Sequence, residues 1–163
     1  MLKKTIVALG LTTALSGIAL AQDLPTVKSL DVTVDMATVT NEKAAKYWGQ
    51  VEADLEGAIM AKIANQKDEE DGAKVIVDID EVTLADGFTD TMGIENSVLK
   101  GMVHETHDRD NSRFNSYELT VSYDLAAPML GEGFNPNASE EDSKRAYQAM
   151  IDVFAEQVVK NLK

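Results

Sequence analysis

The sequence predicts an α+β domain, and three observations carry that prediction. Four runs alternate polar and apolar residues with period two. Two longer runs repeat their apolar residues every three or four positions, and turn or capping residues bound each run. In chain order the elements read β-α-β-β-β-α. The simplest way to bury both helical stripes and one face of every strand is a two-layer sandwich, with a four-stranded, mainly antiparallel sheet and two helices on one face.

Ahead of that domain, residues 1–21 read as an export signal. Lys3 and Lys4 supply the positive start, Ile6 to Leu20 carry no charge, and Ala19 and Ala21 place small residues where cleavage after Ala21 requires them. Gly10, Thr12, Thr13, Ser16 and Gly17 interrupt the run, which is shorter than the roughly 20 apolar residues of a membrane span. No later stretch spans a bilayer. The expectation is a signal peptide at 1–21, a single α+β domain at 22–163, and a periplasmic protein with no transmembrane span.

After a short leader at 22–26, "VKSLDVTVDM" sets Leu30, Val32, Val34 and Met36 on one face and Ser29, Asp31, Thr33 and Asp35 on the other, as a half-buried strand does. Asn41 then caps a predicted helix over 42–66, with Ala44, Trp48, Val51, Leu55, Ala58 and Ile63 on its stripe; Gly57 within it suggests close packing. "KDEEDG" is a solvated turn. "AKVIVDIDEVTLA" reads as a second strand over 73–85, and a glycine-bearing loop follows. "SVLKGMVHETH" and "SRFNSYELTVSYDL" flank the polar turn "DRDN" as a hairpin, the latter with Tyr117, Leu119, Val121, Tyr123 and Leu125 on one face. A second long loop precedes the last helix. Ser139 opens that helix, Asp142 takes the third position of a capping box, and Tyr147, Met150, Ile151, Phe154, Val158 and Leu162 form its buried stripe.

Composition narrows the chemistry. The chain has no cysteine, which excludes disulfides, zinc–thiolate sites, a cysteine nucleophile and the lipid anchor of bacterial lipoproteins. Its formal net charge is −13, and loss of the signal's two lysines makes it more acidic still. Such a surface favours solubility and argues against nucleic acid or anionic headgroups as partners. No GxSxG elbow, SxxK pair, HExxH or phosphate-binding glycine loop is present, so nothing calls for an enzyme or a cofactor.

Both histidines lie in "HETHDRDN", where His104, His107, Asp108 and Asp110 are the candidate metal ligands. Strand alternation sends His104, Thr106 and Asp108 one way and Glu105 and His107 the other, so the two imidazoles do not converge. The segment from Asp108 begins like a calcium loop, but Arg113 stands where that loop needs glycine and Leu119 where it needs glutamate. A polar turn rich in Asp and Asn is the better reading. The two long loops, 85–97 and 126–138, carry apolar residues instead: Phe88, Met92, Ile94, Met129, Leu130 and Phe134. If the second and third strands pair antiparallel, both loops leave the end of the sheet opposite the histidine hairpin. Those six residues then either cap the core or form a patch that docks a partner or an acyl chain.

On element order across 27–163, carried by "LDVTVDM", "AKVIVDIDEVTL", "VLKGMVHET", "SYELTVSYDL" and the terminal helix, the chain resembles the small exported α+β domains of uncharacterised bacterial lipoproteins and envelope proteins, some associated with outer-membrane or lipid-transport machinery. It departs from them in lacking the lipoprotein cysteine. The resemblance implies an accessory or binding role. The expected function is a non-enzymatic periplasmic domain that binds an envelope protein or hydrophobic ligand. The alternatives are a divalent-cation-binding protein and a hydrolase with an unfamiliar site.

Overall fold

The computed structural model describes residues 25–86 and 94–163. Within them the fold is α+β, built on a mixed four-stranded sheet. Strands β1 (Val27–Thr33), β2 (Ala73–Ile79), β3 (Val98–Thr106) and β4 (Asn115–Ser122) lie side by side in chain order. β1 pairs with β2 in parallel, Val32 opposite Val77; β2 and β3 are antiparallel, as are β3 and β4, with Val103 opposite Val77 and Leu99 opposite Val121.

Alternation appears directly as burial. Ala73, Val75, Val77 and Ile79 of β2 are buried, as are Leu99, Gly101 and Val103 of β3, while Ile76, Asp78 and Met102 between them are exposed. The buried side meets α2 (Val51–Lys62), which lies against β1, and α5 (Glu140–Lys160), which lies against β3, β4 and α2. Leu55 and Ile59 from one, with Ile63 just past its end, and Met150, Phe154 and Val158 from the other close the core. Ser139 caps α5 by accepting from the Asp142 amide at 3.0 Å, and its own hydroxyl donates to the Asp142 carboxylate at 2.7 Å. No helix among the described residues is long and apolar enough to cross a membrane.

Five expectations need correction. The first strand ends at Thr33 rather than running on to Met36, because Asp35 caps a 3-10 turn over Met36–Thr38, accepting from the Ala37 amide. The helix expected over 42–66 is two helices, α1 (Glu42–Trp48) and α2, and it ends at Lys62. Glycine weakens a helix interior by about 1 kcal/mol, and after Gly49 the chain leaves helical geometry at Gln50 (φ −118°, ψ 11°), whose side-chain amide donates to the Gly49 carbonyl. The second strand stops at Ile79, because Asp80 caps a short helix, α3 (Glu81–Asp86), accepting from the Thr83 amide. Tyr123 likewise opens a short helix, α4 (Tyr123–Ala126); its period turns Tyr123 and Ala126 inward and leaves Leu125 52 % exposed. Gly57 is exposed, with open space where a Cβ would stand, so close packing does not explain it.

Gly72, by contrast, is required. It ends the 67–72 turn where the chain presses against the start of β1, and a Cβ there would stand 2.5 Å from the Lys28 amide nitrogen and 2.6 Å from the Asp68 carbonyl oxygen. Both are backbone atoms that cannot swing aside. Gly72→Ala should therefore destabilise the fold by about 1–3 kcal/mol, the usual cost of overpacking, read as a lower urea midpoint at unchanged slope. Gly57→Ala should raise the midpoint by up to about 1 kcal/mol equivalent.

Candidate functional site

The histidine hairpin, the most site-like stretch of sequence, is a structural joint. His104 lies on the outer sheet face opposite Ser116 on β4, its Nδ1 2.9 Å from the Ser116 hydroxyl oxygen. The two form a cross-strand pair on the outer face of the sheet. Glu105 and His107 turn the other way and are buried. The Glu105 carboxylate accepts from the Lys163 backbone amide at 3.1 Å and lies 3.7 Å from His107 Nε2. Burial, with Glu105 adding to it, pushes the neighbouring Tyr117 phenol up to about 12.

Asp108 extends from the turn to Lys28 on β1 at 2.8 Å and to Lys74 on β2 at 2.5 Å, tying three strands together. Hydrogen bonds from Lys28 and then Lys74 hold its carboxyl down at about 2. Asp110 folds back on Ser112, whose amide donates to it at 3.0 Å. His104 thus stands apart on the outer face, while His107, Asp108 and Asp110 line one cleft with Glu70, Asp71, Arg109 and Arg113; no group of three or more His, Asp or Glu side chains placed to hold a metal occurs among the described residues.

The other end of the sheet is where the two apolar loops meet. The Asn137 side chain accepts from the Ile94 amide and so links one loop to the other. Phe88 and Met92 lie outside the described residues. Of the other four candidates, Ile94 is buried, Leu130 and Phe134 are half-buried, and Met129 is 58 % exposed. Arg145 covers Phe134, its guanidinium carbon 4.8 Å from the ring centroid. The four described candidates therefore do not form one exposed patch among themselves: Ile94 is part of the core, and of the four only Met129 stands well out.

What this end does hold is a groove of about 370 Å³. Lys43, Lys46 and Tyr47 of α1, with Gln50 just past its end, form one wall, and Glu140, Ser143, Lys144 and Tyr147 along α5 the other, the last set at helical steps of three, four and seven. Ile94 and Asp54 complete the lining. Beneath it the aromatic rings interlock: Tyr47 meets Trp48 and Tyr147 edge-on at 4.9 and 5.3 Å, and Trp48, fully buried, lies 5.5 Å from Tyr147. The Tyr147 hydroxyl donates to Asp54 at 2.7 Å and the Tyr47 hydroxyl to the Ser143 carbonyl at 3.4 Å. Burial above all raises both phenols beyond the ordinary tyrosine range, so both are neutral.

Sequence reading placed Tyr147 on a buried stripe and passed over Tyr47 and the lysines. The available signal was the Lys43, Lys46, Tyr47 spacing, a second face of α1 that mixes an aromatic ring with cations. No protein-family model, curated protein or solved structure matches this chain.

The Asp108 ion pairs make an acid-range prediction. Its folded carboxyl titrates near 2 against an ordinary 3.8, so the pairs favour the folded state above the ordinary value, and that contribution is lost as pH falls toward the folded one. Urea midpoints followed down through the acid range should fall less steeply for Asp108→Asn than for the unaltered chain. Equal slopes would show that the two lysines contribute nothing.

Proposed function

We propose that this chain is an exported, non-enzymatic accessory domain of the cell envelope that binds a hydrophobic ligand through the groove between α1 and α5. Its architecture in this reading is a two-layer sandwich with the longer helices on one sheet face. The observation that carries the proposal is the groove itself. It is concave and aromatic, its volume of about 370 Å³ lies within the roughly 300–1,000 Å³ of small-molecule sites, and Ile94 of the first apolar loop lines it. A protein partner is the lesser reading, because among the described residues the large apolar side chains exposed at this end are Leu125 and Met129 rather than a broad patch.

Phenylnaphthylamine, a neutral apolar fluorophore, tests the reading. Its emission should rise saturably with added chain, and Tyr147→Ala should weaken binding about tenfold, the loss expected for one well-packed aromatic contact. Leu125→Ser combined with Met129→Ser should leave binding unchanged. Absence of saturable binding, or binding lost with Leu125 and Met129 instead, would overturn the assignment.

A further inference from the structure

The sheet has two outer edges, and they are finished differently. An edge strand offers unpaired amides and carbonyls to any other strand, and folded proteins blunt it with a bulge, a charge or a covering segment. β1 has all three. Its register with β2 shifts between Val27 and Ser29, and Lys28 and Asp31 stand along it. At Val27 the chain around Lys67 bridges its outer side, the Val27 amide donating to the Gln66 carbonyl at 2.8 Å and the Asp68 amide to the Val27 carbonyl at 3.1 Å.

β4 is the last strand on its side of the sheet, and it pairs with β3 through all its residues without a shift of register. "NSYELTVS" contains no proline, glycine or lysine, and its one charge, Glu118, is tied to Lys100 of β3 at 2.8 Å. The inner face of β4 is unfinished as well. Val121 is buried, but Tyr117 and Leu119 remain half-buried where Val77, Leu99 and Val103 of the central strands are fully covered. Two large apolar side chains that stand more than half exposed bracket the strand, Phe114 just before it and Leu125 shortly past its end.

We propose that β4 is the interface between two copies of this chain, which pair antiparallel, edge to edge, into one continuous sheet. A two-fold axis brings the start of each β4 to the end of the other, so Phe114 of one copy comes to the end where Leu125 of the other stands, twice over. That self-complementarity favours a second copy over an unrelated strand. Axes through Glu118 and Leu119 give this strand its longest overlap with itself. The first would set two carboxylates directly against each other, which is unfavourable. The second joins the two Leu119 side chains on the inner face, sets Tyr117 opposite Val121, and on the outer face sets Glu118 opposite Thr120. It covers the half-buried residues and opposes no like charges.

Sedimentation equilibrium of the chain over a dilution series should show a reversible monomer–dimer equilibrium. Backbone amides of β4 should gain hydrogen-exchange protection as concentration rises, while those of β1 do not. Both copies are strongly acidic, so association should tighten as salt screens their long-range repulsion. Thr120→Glu sets a carboxylate against Glu118 of the other copy, twice per dimer. Within its own copy the new side chain stands opposite Lys100, so the urea midpoint of the monomer should hold. The substitution should weaken dimerisation about tenfold, the effect of two like-charge pairs. Adding Glu118→Thr restores a Glu–Thr pair across the axis and should return the affinity to that of the unaltered chain.

A chain that stays monomeric at every concentration would overturn the second copy as the occupant of this edge. A dimer insensitive to Thr120→Glu, or one whose added protection falls outside β4, would overturn the assignment of the interface.

Discussion

The parallel pairing of β1 with β2 is the constraint on which the rest of the structure depends. Antiparallel neighbours can be joined by a tight turn, but parallel ones require the chain to cross back over the sheet, which takes about a dozen residues or more, usually with a helix among them. Here the crossing is α1 and α2. It brings α2 down against β1 and places α1 where the first turns of α5 arrive beside it. Had β2 paired antiparallel with β1, no helix would have been needed between them, and the groove would have lost one wall.

The two ends of the sheet are built differently. At the hairpin end, charge works as fastening: Asp108 joins β1 and β2 to the turn, Arg109 reaches Asp71, and buried Glu105 accepts from the last backbone amide. Most charged side chains there are paired with one another, although the buried His107 Nε2 has no hydrogen-bond partner. At the other end the fastening is aromatic. Trp48 fills the space under the break between α1 and α2, and the two tyrosines leaning on it form a floor that faces outward. Large rings bury much area at low conformational cost and leave a shaped surface where they stop. A residue list ranks the first end as the more site-like, and geometry ranks the second.

Much of the fold was legible in the sequence. Period-two alternation marks all four strands, and the stripes ending in Phe154 and Val158 or passing through Trp48 and Leu55 mark the core, because burial imposes the periodicity of the element on the choice of residue. Opposite facing of the histidines was legible for the same reason. The breaks were not. Gly49 and Asp80 each sit inside a run whose apolar spacing continues past them, and whether the chain turns there depends on what it packs against afterwards.

The pattern of residues alone therefore determined an α+β class, an acidic surface without cysteine, and the identity of the buried faces, since these follow from composition and local period. Tertiary structure decided the direction of β1 against β2, the end of the sheet where helices meet, and the gathering of Lys43, Lys46, Tyr47, Lys144 and Tyr147 into one groove. Some of those residues stand about a hundred positions apart. Only packing brings them together, and no local signal along the chain records that they will meet.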